Sequence, residues 1–513
     1  MAILLRFNAQ KFGLRNNFSE MVHLPCDHMF GEEELRSVSS RIDRDNKRHI
    51  ENIRKLLMQP SSSQENIGLE DCAELVAKMY RGVGCDKVEV VRTKGSPIVY
   101  GECRGDADRT LLVYFMYDTM PYNEPGWTSP PMGAKIVDMK LPVGKVKALM
   151  NRGAYNTKGP MVAFLNSVEA CTRSVGRPPV NLMFVAEGEE ELGSPNLAPY
   201  VKKEKKRLSR ADACYFPDFA QDADGSLNLY LGVKGVVYFE LECSGKSWGR
   251  GPQEFAVHSA NKAWLDSPVW RLVHALGTMT TEDGNRVLID GFYDDVAPPS
   301  EDDLEVIRAA AKSFNPKATK DAMAVRNFMI PEDDKEELIK LYTYSSTLNI
   351  DGIWGGWIEK GSKTVLPHKA TCKIDIRVVP NQKKDKMMPL VRKHLDKHGY
   401  SDIKMTEIDT GYDWCRSSVK EPVVQSLIRA MRRFYGEPNI WPTSGGSLPL
   451  FAFNRILKLP IAMGGLGYGD LAHSPNEFMV VEGRGKLAGL PEIEKSMVYF
   501  MSEFARGSWS ARS

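Results

Sequence analysis

Short apolar runs alternate with amphipathic stretches over roughly the first 230 residues of the chain. Apolar positions recur at near-helical spacing over residues 32–58 and again over residues 69–81, so both stretches predict helices. Residues 110–116 and 182–186 are continuously apolar but too short for free-standing helices, and they predict buried strands. Strands that alternate with helices indicate an α/β fold built on a doubly wound, mostly parallel sheet.

The pattern of polar and apolar positions changes in the middle of the chain. Residues 227–241 and 370–379 alternate apolar and polar side chains, which is typical of strands with one exposed face. Between them, residues 266–276 and the long polar stretch 301–341 predict helices. The α/β pattern resumes after about residue 408, so we predict a second, α+β domain that is inserted into the first.

These changes divide the chain into four segments. The first 30 residues have no clear period and are predicted to form an arm. The predicted segments are the arm (1–30), the first part of the catalytic domain (31–231), the inserted domain (232–408) and the second part of the catalytic domain (409–513).

Polar side chains follow several predicted strands at the point where each strand ends. They are Asp118 after residues 110–116, Glu187, Glu189, Glu190 and Glu191 after residues 182–186, Asp218 after residues 212–216, Asn156 ahead of a predicted helix, and His473 after a glycine-rich loop. In an open α/β sheet, ligands bind outside the carboxyl ends of the strands. Hard divalent cations need several converging oxygen ligands, so the series favours a metal site, whereas one glutamate run alone would indicate a solvated loop.

Composition and charge limit the class of protein. The chain has 513 residues, too many for one ordinary core, and 42% of them are hydrophobic and 26% charged, as in soluble globular proteins. The 68 basic and 66 acidic residues nearly cancel, and no basic stripe with interleaved aromatic residues is present. Nucleic acid and anionic membrane surfaces are therefore not expected as partners.

The cysteines indicate the compartment. The chain has nine, an odd number, and none of them forms a CxxC pair, which predicts reduced thiols and argues against a cysteine zinc site. No apolar run is long enough to span a membrane, and the first residues do not form a signal peptide. We therefore expect a cytoplasmic protein.

Seven motifs along the chain resemble the carnosinase, aminoacylase and succinyl-diaminopimelate desuccinylase family of metallohydrolases, and its dipeptidase branch in particular. They are residues 112–121, 152–160, 187–194, 363–367, 376–380, 445–447 and 472–474. They occur in the family's order, and the similarity covers nearly everything after about residue 45. The resemblance implies a zinc-exopeptidase-like α/β fold whose inserted α+β domain forms a lid and carries the contact of a homodimer.

The resemblance also implies roles for individual residues. It gives Glu190 as the general base, Glu191, Asp218 and His473 as metal ligands, Asp118 as the carboxylate that orients the first histidine ligand, His258 as a lid histidine that reaches the partner subunit's active site, and Arg377 and Ser447 as the groups that hold a substrate carboxylate. A carboxylate beside a divalent cation can act as a base near neutral pH because the metal lowers the pKa of water.

Two positions depart from the family pattern. Met116 stands where the family has its first histidine ligand, and Asn156 stands where it has a bridging aspartate. A thioether is a poor ligand for zinc or manganese, and a neutral amide cannot hold two cations together as a carboxylate does. One metal per chain is therefore expected, held by Glu191, His473 and Asp218, with Asn156 donating its carbonyl oxygen. Three protein ligands and a water suffice for catalytic zinc.

The expected activity is metal-dependent hydrolysis of an amide bond in a small substrate that carries a carboxylate. A dipeptide or an N-acyl amino acid fits this description, with one zinc or manganese ion per chain and a homodimer or higher homo-oligomer as the assembly. Two alternatives stay open. One is a metal-independent enzyme on the same scaffold, and the other is a catalytically silent binding protein that keeps the cleft.

Overall fold

The structure is a computed structural model that describes residues 30–507. The predicted arm lies outside the described residues, apart from Phe30. The helices are α1 (Glu32–Leu57), α2 (Leu69–Gly82), α3 (Lys158–Val175), α4 (Leu197–Lys203), α5 (Lys205–Leu208), α6 (Gly245–Trp248), α7 (Pro268–Gly277), α8 (Glu301–Ser313), α9 (Pro316–Ala322), α10 (Lys335–Tyr344), α11 (Lys384–Lys397), α12 (Pro422–Tyr435) and α13 (Leu490–Arg506). The strands are β1 (Lys87–Val91), β2 (Ile98–Cys103), β3 (Ala107–Met116), β4 (Lys135–Leu141), β5 (Gly144–Met150), β6 (Val180–Glu187), β7 (Ala213–Phe216), β8 (Asn228–Tyr230), β9 (Gly232–Val233), β10 (Gly235–Ser244), β11 (Val257–His258), β12 (Thr347–Trp354), β13 (Val365–Leu366), β14 (Lys369–Val378), β15 (Lys404–Glu407), β16 (Cys415–Arg416), β17 (Asn439–Trp441), β18 (Ile461–Met463), β19 (Gly469–Asp470) and β20 (Phe478–Glu482).

The central sheet has the strand order β1, β2, β6, β3, β7, β18. Strands β6, β3, β7 and β18 are parallel to one another, and the antiparallel strands β2 and β1 complete one edge. Helices cover both faces, with α1, α3 and α13 on one and α4 on the other. The predicted doubly wound, mostly parallel sheet is confirmed.

Alternate residues of β3 face two separate cores, which explains its continuous apolar run. Val113 and Phe115 pack in the core that includes residues of α1, α3 and α13, whereas Leu112 and Tyr114 pack in the core on the other face, where Phe453 lies. A strand covered on both faces is apolar at every position rather than at every second one. Its polar groups therefore appear only beyond its end, at Asp118.

A second, antiparallel sheet has the order β19, β20, β5, β4. Strands β5 and β20 pair from Lys147 to Met150, and the chain leaves β5 directly into the loop that carries Asn156. The sequence patterns above do not predict this sheet. It places the Asn156 loop beside the segment between β19 and β20, which carries His473.

The chain between β9 and β16 forms an antiparallel sheet of its own, in the order β12, β14, β10, β15. Helices α7 and α11 pack on it, whereas α8 packs on β17 beside Trp441. The polar stretch 301–341, predicted to be helical, is divided among three helices, α8, α9 and α10. The side chain of Asn315 caps the new helix α9 at Pro316, and proline fits the first turn of a helix better than its interior.

One pair of cysteines differs from the expectation of reduced thiols. Cys85 and Cys103 form a disulfide. The other cysteines of residues 30–507 are free and buried. The spacing along the sequence does not reveal this pairing, because Cys85 precedes β1 and Cys103 ends the neighbouring strand β2. No helix within residues 30–507 is both long and apolar enough to cross a membrane.

Candidate active site

A short turn after β6 carries Glu190 and Glu191, and Asp118 holds it in place. Asp118 lies beyond the end of β3, next to β6 in the sheet. Its Oδ1 accepts a hydrogen bond from the backbone amide of Glu190 at 3.1 Å, and its Oδ2 accepts one from the amide of Glu191 at 3.0 Å. The hydroxyl of Ser63 donates to the same carboxylate at 2.8 Å. The parallel pairing of β3 with β6 thus brings the two strand ends together.

The side chains of Asn156, Glu191 and His473 meet in a triangle of polar atoms. Asn156 Nδ2 lies 3.0 Å from Glu191 Oε1 and 3.0 Å from His473 Nε2, and the last two atoms are 3.1 Å apart. With Glu191 ionised, no placement of hydrogens satisfies all three contacts. If His473 Nε2 carries no hydrogen, it and the Glu191 carboxylate are two acceptors that face each other. If Nε2 carries a hydrogen, it and the Asn156 NH₂ group are two donors that face each other. If the Asn156 amide is inverted, its oxygen and the Glu191 carboxylate are again two acceptors that face each other.

The same three side chains fit the ligand set of one divalent cation. With the Asn156 amide inverted, each corner of the triangle is an oxygen or nitrogen with a lone pair. Two atoms bound to one tetrahedral zinc at about 2.0 to 2.2 Å lie roughly 3.4 Å apart, so the three side chains would need to separate by only a few tenths of an ångström from the observed 3.0 to 3.1 Å. Within residues 30–507, no three His, Cys, Asp or Glu side chains form a metal-binding group by themselves. A cation at this triangle therefore depends on the amide oxygen of Asn156.

The remaining predicted ligand, Asp218, lines the same cleft without joining the triangle. Its carboxylate accepts a hydrogen bond from the backbone amide of Phe219 at 2.8 Å. Burial raises the pKa of Asp218 to about 7. Met116, which the resemblance leads us to expect at the position of the first histidine ligand, is fully buried and is not among the residues that line the cleft.

Glu477, for which the sequence patterns predict no role, holds the loop of Asn156. Its Oε1 accepts hydrogen bonds from the amides of Tyr155 at 3.0 Å and Asn156 at 2.9 Å. Its Oε2 accepts one from the amide of Gly153 at 3.0 Å and one from the guanidinium of Arg152 at 2.9 Å. This carboxylate is almost completely buried. The only sequence signal is its position four residues after His473.

Several carboxylates crowd the Glu190 turn, and burial changes their acidity. Burial, followed by the charge of Glu191, raises the pKa of Asp118 to about 7. Burial raises the pKa of Glu187 to about 8. Burial, together with the charges of Glu191 and Asp118, raises the pKa of Glu190 well above its ordinary value. Neighbouring carboxylates repel each other when both are ionised, so their pKa values rise. A cation nearby would offset this repulsion and stabilise their charged form.

A cleft of about 620 Å³ brings most of the predicted site residues to one surface. They are Asn156, Glu190, Glu191, Asp218, Arg377, Ser447 and His473. Arg377 donates from its terminal nitrogen to Ser447 Oγ at 2.9 Å and from Nε to Asp375 at 2.9 Å. The cleft thus joins the acidic turn to a guanidinium that comes from the sheet of β10 and β14.

His258 does not lie in this cleft. It stands on β11 with an exposed side chain, and its Nδ1 accepts a hydrogen bond from the amide of Ala260 at 3.1 Å. Its Nε2 lies 3.0 Å from the hydroxyl of Thr364. Glu189 also points away from the cleft, because its carboxylate binds the side chain of Asn196 at 2.6 Å.

A family model matches most of the chain. The model of the peptidase family M20/M25/M40 matches residues 112–488. The match includes the two glutamates of the turn, the Asn156 loop and His473.

Named relatives and solved structures agree with this match. The chain is 28% identical over 422 residues to the Cys-Gly metallodipeptidase dug1 of Schizosaccharomyces pombe, an alignment that covers 80% of this chain and 84% of that protein. It is 28% identical over 393 residues to the Beta-Ala-His dipeptidase of Homo sapiens, with 74% of this chain and 73% of that protein covered. The crystal structure of an M20 family metallo-carboxypeptidase from Sulfolobus solfataricus is similar with a TM-score of 0.79 and 30% identity, covering 89% of this chain and 99% of that one.

Proposed function

The chain belongs to the peptidase family M20/M25/M40, and we propose from this membership that it is a metallopeptidase that hydrolyses the amide bond of a dipeptide or an N-acyl amino acid with one divalent cation per chain. Two relatives named as a metallodipeptidase and a dipeptidase support the reaction. The observation that carries the proposal is the cleft itself, which Glu190, Glu191 and Arg377 line together.

Glu191, His473 and the amide oxygen of Asn156 would hold the cation, with Asp218 in the same cleft. Zinc and manganese are the proposed ions, because carboxylate, imidazole and amide donors suit both. When bound, the cation supplies Lewis acidity, which polarises a carbonyl oxygen and makes water more acidic.

Glu190 is the proposed general base. Its carboxyl group lines the cleft, and its backbone amide is fixed by Asp118 at 3.1 Å. A carboxylate in this position can take a proton from the attacking water and pass it to the amine that leaves. Removing the carboxylate should therefore lower turnover without removing the cation.

Arg377 and Ser447 are the proposed anchor for the substrate carboxylate. The Arg377 side chain is 35% exposed, so its guanidinium reaches the cleft even though it also binds Asp375 and Ser447. A planar guanidinium binds a carboxylate through two parallel hydrogen bonds. With one end of the substrate fixed there, its amide bond would extend towards Glu190.

A second copy of the chain is the proposed partner, with the contact in the inserted domain. Large apolar side chains are strongly exposed there, namely Phe255 (70%), Trp264 (79%), Trp270 (58%) and Ile358 (72%). Exposed apolar patches of this kind mark interaction surfaces. His258 is in the same region of the chain and would face the partner's cleft in such a dimer.

The proposed location is the cytoplasm. Free buried thiols support it, at Cys72, Cys171, Cys214, Cys243, Cys372 and Cys415, whereas the disulfide between Cys85 and Cys103 is more typical of an oxidising compartment. The near balance of 68 basic and 66 acidic residues supports a small substrate rather than nucleic acid as the binding partner. Fractionation of cells that express the full chain measures the location directly.

Metal content and turnover test the proposed function together. Protein purified without added metal or chelator should contain about one zinc or manganese ion per chain, and Glu191→Ala and His473→Ala should lose it. Glu190→Gln should keep the metal and lose about 100-fold or more in kcat on a dipeptide substrate. Absence of metal after incubation with zinc, manganese or cobalt would overturn the mechanism.

Glu189→Gln is the matched control for Glu190→Gln. The two glutamates are neighbours, but the carboxylate of Glu189 binds Asn196 and does not line the cleft. A glutamine at this position can still accept that hydrogen bond, so kcat should stay near the wild-type value. An equal loss in both variants would show that the turn responds to any change and would remove Glu190 from its assigned role.

A further inference from the structure

The chain that returns from the inserted domain crosses the cleft beside the Glu190 turn. We call residues 409–412 the return segment. Its residue Tyr412 pairs with Val236 of β10, and each donates its backbone amide to the other's carbonyl at 2.9 Å. Gly411 has a φ of +56°, and a Cβ atom there would lie 2.2 Å from the carbonyl oxygen of Val236. The return segment is therefore packed tightly against β10, with no room for a side chain at Gly411.

Two hydroxyl groups of the return segment donate to carbonyls of the Glu190 turn. Thr410 Oγ1 donates to the carbonyl of Gly193 at 2.7 Å, and the Tyr412 hydroxyl donates to the carbonyl of Glu190 at 2.9 Å. The same phenol oxygen lies 3.4 Å from the Glu190 carboxylate. Asp118, at the end of strand β3 of the central sheet, accepts hydrogen bonds from the backbone amides of this turn. The turn is therefore held from two sides, with its N–H groups bound to Asp118 and two of its carbonyls bound to the return segment.

Val236 also links the return segment to the substrate anchor. On one side it pairs with Tyr412, and on the other side it pairs with Arg377 of β14. Backbone pairing therefore connects Arg377 to Val236 and Val236 to Tyr412. The hydroxyl of Tyr412 then connects this row of residues to Glu190 through a hydrogen bond. Backbone pairings between strands fix distances much more firmly than side-chain contacts at a surface do. The separation between the proposed carboxylate anchor and the proposed base depends on this row.

We propose that Tyr412 is a positioning residue that sets the distance between Arg377 and Glu190, and thereby selects substrates by length, meaning the distance from the substrate carboxylate to the amide bond that is cleaved. This inference rests on the proposed function, because it needs Glu190 as the base and Arg377 as the anchor. Glu190 begins a helical turn of only three residues, Glu190–Leu192, which has few hydrogen bonds of its own. Without the phenol hydroxyl, the Glu190 carbonyl keeps the amide of Gly193 at 2.9 Å and the turn keeps its bonds to Asp118, but the contact with the return segment is lost and the Glu190 carboxylate is held less firmly. Small displacements of a reacting group are costly, since about 1 Å can lower a rate 100-fold.

Tyr412→Phe tests the proposal on the full-length, metal-loaded protein. For a dipeptide, kcat should fall about tenfold while KM stays within about twofold, because the anchor is intact and the base is displaced. The ratio of kcat/KM for a dipeptide to that for the analogue with a β-amino acid at its carboxyl end, in which the carboxylate lies one carbon further from the amide bond, should also fall about tenfold. Metal content and melting temperature should match the wild type. Thr410→Val should change the same quantities in the same direction.

Two further variants separate the possible outcomes. Tyr100→Phe is the control, since its hydroxyl also donates to a glutamate, Glu102, at 2.6 Å, but on β2. In a Glu190→Gln background, Tyr412→Phe should cause no additional loss, because its effect passes through Glu190. Normal kcat and normal length selectivity in Tyr412→Phe would overturn the inference while leaving the proposed function intact. Loss of metal from Tyr412→Phe would also overturn it, whereas full activity of Glu190→Gln would instead overturn the proposed function.

Discussion

Asp118 Oδ2 lies 3.0 Å from the backbone nitrogen of Glu191, so a carboxylate at the end of one strand fixes a glutamate at the end of the next. The second oxygen of Asp118 binds the amide of Glu190 at 3.1 Å in the same way. The family resemblance implies that Asp118 orients a histidine, and the same resemblance leads us to expect Met116 at the position of that histidine. In this chain the carboxylate binds the backbone of the two glutamates directly, which ties the shape of their turn to one buried side chain.

Asp118→Asn should therefore damage both stability and turnover. An asparagine can accept with only one of its two terminal atoms, so one of the two backbone amides would face an NH₂ group instead of an oxygen. A buried donor without a partner costs about 1 to 3 kcal/mol, and we expect the free energy of unfolding to fall by this amount. We expect kcat to fall about tenfold, because Glu190, the proposed base, loses its fixed position. Urea unfolding and steady-state kinetics measure the two effects.

Asp224→Asn is the control for this prediction. Asp224 also accepts a backbone amide, that of Ser226 at 2.8 Å, but at an exposed position. Water can replace the lost hydrogen bond there, so the free energy of unfolding should change by less than about 1 kcal/mol. A loss of similar size in the two variants would contradict the importance of burial at Asp118.

The central sheet was predictable because its signal is local. The apolar run at residues 110–116 reflects a strand covered on both faces, and the helical period from residue 32 persists for seven turns of α1. The antiparallel sheet of β4, β5, β19 and β20 gives no comparable signal. Its pairing of Lys147 with Glu482 joins segments more than 300 residues apart, and register over such a separation depends on the whole fold.

The candidate site divides in the same way. Glu190, Glu191 and Asp118 follow strands, so their position at the sheet edge could be predicted from the runs that precede them. Glu477 could not, because it acts on the backbone of a loop more than 300 residues earlier. Nothing in the sequence around Tyr412 predicts its contact with Glu190 either. Its hydroxyl reaches Glu190 only because the return segment crosses the turn.

Asn156→Asp should strengthen the binding of divalent cations. In the absence of metal, a carboxylate at this position would lie about 3 Å from Glu191 Oε1, where like charges repel each other. A cation removes this repulsion and gains a charged ligand in place of an amide oxygen. We expect the melting temperature of the metal-free protein to fall, and the affinity for zinc or manganese to rise about tenfold or more by calorimetric titration.

Asn123→Asp is the matched control for Asn156→Asp. Its side chain also donates to a glutamate, Glu65 at 3.2 Å, but at an exposed position. This change adds the same negative charge outside the cleft, so metal affinity should stay the same. Weaker binding in Asn156→Asp would contradict the assignment of this side chain as a ligand.

Lys234 should make stability depend on pH above neutrality. Burial, followed by the charge of Arg377, lowers the pKa of Lys234 from 10.5 to about 8. Between pH 8 and 10.5 the unfolded chain therefore holds a proton that the folded chain has released, so this lysine makes the free energy of unfolding rise with pH. The rise is at most about 1.4 kcal/mol per pH unit. Below pH 8 the folded chain bears the full cost of the buried ammonium group.

Lys234→Met should remove this contribution. Urea unfolding at constant ionic strength, repeated across pH 8 to 10.5, should give a flatter dependence than the wild type. The variant also leaves the carbonyl of Ser345 without its donor, now at 2.9 Å, so the comparison concerns the slope and not the absolute stability. An unchanged slope would show that another group is responsible.

Arg377→Lys should weaken the binding of substrates that carry a free carboxylate. A lysine keeps the charge but loses the planar pair of donors, so KM for a dipeptide should rise about tenfold while kcat changes little. The same dipeptide with an amidated carboxyl end should be hydrolysed equally by the variant and the wild type. Arg250→Lys is the control, because Arg250 Nε binds Asp266 at 2.7 Å much as Arg377 Nε binds Asp375 at 2.9 Å, but outside the cleft.

Trp264→Glu should dissociate the proposed dimer. Trp264 is 79% exposed in the single chain, and a charge placed in a buried interface without a partner costs several kcal/mol. Sedimentation velocity should show a dimer for the wild type and a monomer for the variant. Ile136→Glu, at a side chain that is 45% exposed on β4, should remain dimeric. A monomeric wild type would contradict the proposed partner.

A mixing experiment decides whether His258 acts on the partner's cleft. His258→Ala and Glu190→Gln should each be nearly inactive alone. In a mixed dimer, the His258→Ala subunit keeps its own Glu190 and would receive His258 from the Glu190→Gln subunit, which restores one complete site. Random pairing of equal amounts should then recover about a quarter of wild-type activity, because half of the dimers are mixed and each has one good site of two. If His258 served its own cleft, neither subunit of the mixed dimer would be complete and no activity would return.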